Sequence, residues 1–145
     1  MLLAAVVAVV ALGLWRLLTD GRFRGTHTVR GAGEKDAQGA PDAGPASLGE
    51  VLPADTRLGE SATLLQFSTA FCAPCRATRR TLAEVAAVVP GVAHVEIDAE
   101  HHLELVRRLR ILRTPTTLVL DAGGHEVSRA SGAPRKEQVL GALAR

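Results

Sequence analysis

Cysteine occurs only twice in the 145 residues, tyrosine not at all, and aromatic side chains make up just 3% of the chain. So few aromatics leave a core of Leu, Val, Ile and Ala, and they remove the stacking platforms that single-stranded nucleic acid requires. No sign of charge dominates either. The net charge is +2, and residues 48–145 carry twelve Lys/Arg against eleven Asp/Glu. Nucleic acid is therefore not an expected partner. Both cysteines fall in one motif, Cys72-Ala73-Pro74-Cys75, so neither is left to staple distant parts of a fold. A metal site or a redox pair is what this spacing allows. Zinc would need two further ligands, and none of His27, His94, His101, His102 and His125 stands at finger-like spacing from the cysteines.

There is one long apolar run. Met1 to Trp15 contains no charged residue, and the run reaches Leu18 if Arg16 snorkels to an interface. That length is at the lower end for a spanning helix. No basic residue precedes the run and no small-x-small site follows it, which argues against a cleaved signal peptide. The run also lacks the polar face of a soluble buried helix. Residues 1–18 are read as a single-pass anchor in the cell membrane, with Trp15 and Arg16 at the interface. Arg16, Arg22, Arg24 and Arg30 all follow the run, so the positive-inside rule favours a cytoplasmic domain, with the extracytoplasmic side second. Residues 19–47 read as a basic juxtamembrane stretch that becomes, from Gly31 to Ser47, a flexible tether rich in Gly, Ala, Asp and Pro. Residues 48–145 are the expected folded domain, enough chain for one core.

Within that domain the pattern alternates between strand and helix. Ala62–Phe67 reads as a buried strand. Ala73–Val89 reads as a helix, because Leu82, Val85, Ala86 and Val89 recur on one face, and Pro90-Gly91 stops it. Val92–Ile97 is a second strand. His101–Arg110 is a short helix with Asp98 as candidate cap. Thr116–Leu120 and His125–Ala130 are strands joined by the turn at Ala122-Gly123-Gly124. Pro134 can open a last helix with Val139, Leu140 and Leu143 facing inward. The first three strands are expected to pair in parallel through right-handed crossovers, and the last two as a hairpin. The class is α/β, one sheet with helices on both faces.

This order resembles thioredoxin-like proteins, in particular bacterial membrane-anchored ones; the abundance of Ala, Arg, Gly and Val also fits a GC-rich bacterium. The resemblance rests on Phe71-Cys72-Ala73-Pro74-Cys75-Arg76, Val95-Glu96-Ile97-Asp98, Thr114-Pro115-Thr116, and Gly123-Gly124 followed by Gly132. It implies a thioredoxin fold, a central mixed sheet flanked by helices. It also implies a cis peptide bond at Pro115 beside the disulfide, a Thr114 backbone that pairs with an extended substrate segment, and an exposed Phe71 that touches substrate. Four positions depart from the family pattern. Phe71 replaces the usual Trp, Arg80 replaces a helix-kinking Pro, and Gln66 stands where thioredoxins carry a buried Asp, with His94 at the position of its companion Lys.

The chemistry expected is dithiol–disulfide exchange without a bound cofactor. Cys72, at a helix N-terminus, is favoured as the thiolate nucleophile, and Cys75 as the buried resolving thiol. Ala73 and Pro74 tune the pair, Pro74 by removing one N–H donor. Gln66 cannot act as a general base in place of a carboxylate. Expected partners are protein dithiol or disulfide clients and a redox donor protein, met by a monomer at the membrane. Thiolate handling of copper or zinc, and a redox-silent binding module, are the alternatives.

Overall fold

The structure, a computed structural model, describes residues 2–19, 21–25 and 47–144. In chain order these form α1 (Leu2–Thr19), β1 (Arg24–Gly25), a 3-10 turn (Leu48–Glu50), β2 (Ala62–Ser68), α2 (Ala73–Val88), β3 (Val92–Asp98), α3 (Leu103–Arg108), β4 (Thr116–Asp121), β5 (Glu126–Ser131) and α4 (Lys136–Leu143). Every element expected between Ala62 and the C-terminal helix is present, with ends moved by a few residues. The expected tether lies outside the described residues over 31–46.

The five strands make one sheet in the order β1-β5-β4-β2-β3. β2 is buried along nearly its whole length, because both of its faces are covered. Leu65 and Phe67 point to one side, where they meet Leu105, Leu109, Ile111, Leu118, Leu120 and Leu52. Leu64 points to the other and packs with Leu82 and Val85 of α2, Val119 of β4, and Val139 and Ala142 of α4. The period-2 alternation of a strand thus divides one sequence run between two cores, with α2 and α4 over one face and α3 over the other.

Strand direction differs from expectation. β2 and β3 are parallel, but β4 runs antiparallel to β2, with Phe67 opposite Thr116 and Ala62 opposite Asp121. The helix that leads into β4, α3, is short. Its six residues extend about 9 Å at 1.5 Å per residue, whereas a seven-residue strand such as β3 runs about 23 Å. α3 by itself does not run back along the sheet, and β4 starts at the end where β3 finishes and runs back beside β2. The hairpin β4–β5 forms as expected, turning through Gly124 at φ +78°.

Other details are corrected too. α4 starts at Lys136, two residues after Pro134; Leu140 is 38% exposed, the buried positions of the helix are Val139 and Ala142, and Leu143 packs partly against the same core. Asp98 does not cap α3. Its carboxylate accepts from the Glu100 N–H and pairs with His101, while His102 occupies the cap position. Between residues 48 and 60 the chain contributes the 3-10 turn and sends Leu52 into the core.

At the N-terminus the expected anchor is helical as α1, but among the described residues no helix is long and apolar enough to cross a membrane. The 18 residues of α1 rise about 27 Å at 1.5 Å per residue; a hydrocarbon core is about 30 Å thick. The juxtamembrane stretch is not wholly tether. Its Arg24 and Gly25 form β1, antiparallel to Arg129 and Ser128 on the free edge of β5.

Candidate functional site

β2 ends at Ser68, and the chain crosses Thr69–Phe71 to the start of α2. Cys72 is the N-cap of that helix, Ala73 and Pro74 fill its first two positions, and Cys75 is the first residue after them with an amide to spare. That N–H donates to Cys72 Sγ across 3.1 Å. Proline at the second position has no N–H to compete for, so the Cys75 amide is the donor the local sequence leaves for the sulfur. The two sulfurs are joined in a disulfide, with Cα atoms 5.2 Å apart. Cys72 is half-buried while Cys75 is 1% exposed, an asymmetry in which only one sulfur can meet another molecule. Phe71 is 99% exposed at the rim.

The second loop at this end of the sheet carries a cis Thr114–Pro115 bond, as the resemblance implied. Pro115 is buried, and its carbonyl accepts from the Gly132 N–H at 2.8 Å. The Thr114 and Thr69 hydroxyls stand 3.4 Å apart, which ties this loop to the one that delivers Cys72. Phe71, Cys72, Cys75, Thr114 and Pro115 therefore belong to two loops in contact at one sheet end.

Gln66 lies beneath the pair and is fully buried. Its Nε2 donates to the Cys75 carbonyl at 3.0 Å, and its Oε1 lies 3.1 Å from His94 Nε2. Because the amide nitrogen faces a carbonyl, the amide oxygen is left to accept, and His94 must carry its proton on Nε2. Burial pushes the His94 imidazole below its ordinary value; Glu96 opposes this and Arg79 adds to it. Parallel pairing of β2 and β3 sets Gln66 opposite Glu96. Burial raises the Glu96 carboxyl, but Arg79 and the Ser68 hydroxyl outweigh this and hold it below the usual range. Glu96, Arg79 and Ser68 line a cleft that also reaches Cys75. The sequence alone did not reveal this cluster. The missed signal is that 66, 94 and 96 share parity on adjacent parallel strands, which brings them to one face.

Among the described residues no three His, Cys, Asp or Glu side chains are grouped to hold a metal ion. What the arrangement can do is open and close a disulfide at a helix N-terminus, with one sulfur accessible.

Comparison with known proteins agrees with this geometry. The family model described as Thioredoxin matches residues 55–145. Thioredoxin H2-1 of Oryza sativa subsp. japonica is 34% identical over 74 residues, covering 51% of this chain and 53% of that protein. Thioredoxin H-type of Fagopyrum esculentum is 28% identical over 81 residues, covering 56% and 68%. The chain thus spans about half the length of the rice relative. Both relatives are plant proteins, and they lend no support to the bacterial origin suggested by composition. Among solved structures, thioredoxin NaTrxh of Nicotiana alata superposes with a TM-score of 0.53 at 24% identity, covering 59% of this chain and 72% of that one. Fasciola hepatica thioredoxin gives 0.53 at 23%, covering 60% and 82%. At such identities these two structures speak for the fold alone.

Proposed function

The chain belongs to the thioredoxin family, and on that premise we propose that it is a thiol–disulfide oxidoreductase acting on protein clients through Cys72 and Cys75. The observation that carries this reading is the half-buried Cys72 at the N-cap of α2, its sulfur accepting from the Cys75 amide and bonded to a buried partner. In the reduced form the same amide and the helix N-terminus stabilise negative charge on Cys72. Cys72 thiolate attacks one sulfur of a client disulfide, forming a mixed disulfide and expelling the other client sulfur as thiolate. Cys75 gives its proton to water and attacks Cys72. The Cys72–Cys75 bond forms, and the second client thiolate leaves. Two electrons pass to the client, and a donor protein restores the dithiol. Run in reverse, the same steps oxidise a client.

Phe71 and the Thr114–Pro115 loop form the client-binding rim, and Ala73, Pro74 and Gln66 set the pair's local environment. Gln66 takes no proton. It fastens the first turn of α2 to β2 and β3.

Membrane tethering by α1 is part of the proposal, the helix ending at Thr19 and the chain entering the domain at Gly21, whose Gly21–Gly25 segment joins residues 48–145. Val6, Val7, Val9, Val10, Leu12 and Leu14 are each more than half exposed on that helix, an apolar surface that lipid would cover. The arginines that follow favour the cytoplasmic side of a cell membrane, with the outer side as the alternative.

Incubating the reduced full chain with a disulfide-bonded client tests the exchange. The wild type should reduce the client, Cys75→Ser should accumulate a mixed disulfide through Cys72, and Cys72→Ser should do neither. Client reduction by Cys72→Ser at the wild-type rate would overturn the assignment.

A further inference from the structure

The path of the chain between α1 and the domain is short. α1 ends at Thr19, and Gly21 is already buried in the domain. The Gly21 N–H donates to the Ser131 carbonyl at 3.0 Å. Its φ is +72°, and a β-carbon there would stand 2.3 Å from the Ala133 carbonyl oxygen, so the seat accepts only glycine. Phe23 packs on the core formed by Leu64, Val85 and Val139. Arg24 and Gly25 then pair with β5. Gly21 is two positions beyond Thr19, a reach of no more than about 7 Å. The long stretch 26–46 follows this seat. Its far end is fastened as well, because the Leu48 N–H donates to the Gly124 carbonyl. Residues 26–46 therefore connect two attached points of one domain and are not a spacer between helix and domain.

Gly21 is seated at a particular end of the sheet. Ser131 is the partner of Thr116, the residue after cis Pro115, and the neighbouring Gly132 holds the Pro115 carbonyl. Thr116 in turn faces Phe67 near the end of β2, from which the chain passes to Cys72. With strands about 4.8 Å apart, the β1 position lies about 15 Å from β2 across the sheet. The helix thus joins the domain at the end that carries the disulfide.

The circumference of α1 is apolar throughout. Its larger exposed side chains cover most of the turn, and Ala4, Ala8 and Ala11, also exposed, fill the remaining sector. A helix that docked on a protein groove would be apolar on one face; one apolar all round suits lipid on every side. Arg16 and Arg22 stand at the domain end, where anionic headgroups would meet them.

We infer that the Gly21–Gly25 clamp holds the disulfide end of the domain against the bilayer that receives α1, and that its clients are disulfides in juxtamembrane segments of membrane proteins. This rests on the membrane tether proposed above. A short, fastened link raises the effective concentration of near targets and excludes distant ones.

The test uses the full chain in vesicles of phosphatidylcholine and phosphatidylglycerol. Flotation comes first, and a chain that fails to float with vesicles overturns the tether itself and the inference with it. On floating vesicles, the pre-reduced chain is given a disulfide peptide attached to lipid through a polyproline spacer of about 15 Å or about 60 Å. Single-turnover reduction of the short-spacer peptide should be about tenfold faster. Gly21→Val, which cannot occupy the seat, should abolish that preference and leave the rate on a soluble peptide unchanged. If that variant does not fold, a Gly/Ser insertion of about ten residues between Thr19 and Asp20, adding about 17 Å of reach, should reduce the preference with the clamp intact. Equal rates on both spacers, or a preference that survives the insertion, would overturn the inference while the tether stands.

Discussion

Replacing Gln66 by leucine removes the polar link between β2, β3 and the first turn of α2 at nearly constant volume. Gln66 is fully buried, so no water replaces what is lost. Two hydrogen bonds disappear, Nε2 to the Cys75 carbonyl and Oε1 to His94 Nε2. Each neutral bond contributes about 1 kcal/mol net. The Cys75 carbonyl retains its place in the helix ladder, but the partly buried His94 N–H is left without its acceptor, adding about 1 kcal/mol. Leucine returns part of this through apolar burial, about 1 kcal/mol. The expected loss is therefore about 2 kcal/mol. Urea unfolding of the oxidised protein at pH 7.5 reads it directly. With a slope of about 1–2 kcal/mol/M for a domain of this size, the midpoint should fall by about 1–2 M. His94→Ala in the same background completes a double-mutant cycle, and the two changes should couple by about 1 kcal/mol because they share one bond. A midpoint within 0.2 M of wild type (about 0.3 kcal/mol), or strict additivity in the cycle, would refute the claim that Gln66 is held by these two partners.

Three further outcomes are expected. Burial holds His94 below its ordinary value in the folded chain, so as pH falls through about 6.5 the unfolded chain takes up the proton first. Stability is then full above that pH and declines below it, no more steeply than about 1.4 kcal/mol per unit; unfolding midpoints at pH 7.5 and 5.5 should differ for wild type and converge for His94→Asn, which keeps a donor. Leu82 is fully buried between α2 and the sheet, so Leu82→Ala should cost about 2–5 kcal/mol in thermal or chemical unfolding. Phe71 packs against almost nothing at 99% exposure, so Phe71→Ala should change stability by less than about 0.5 kcal/mol while weakening turnover of a protein client. Loss of stability of the size seen for a core residue would remove it from the rim.

Helices and strands from Ala62 onward were legible in the sequence because each is set by local periodicity, and their punctuation by Pro90-Gly91, Gly124 and Gly132 is chemically plain. The Cys72–Cys75 pair was legible for the same reason, since its members stand three positions apart and one helical turn brings them together. What the sequence determined by itself was local: the two cysteines, the helix start that holds them, and the alternation that divides β2 between two cores. Tertiary structure decided everything that depends on where distant segments return. The direction of β4 was decided by its antiparallel pairing with β2. The contact of His94 with Gln66 followed from strand register. The seating of Gly21 against Ser131 and Ala133 joined residues more than a hundred positions apart. No window of the sequence contains such partners, because hydrogen bonds and packing act through space and the chain brings these groups together only after the sheet has formed.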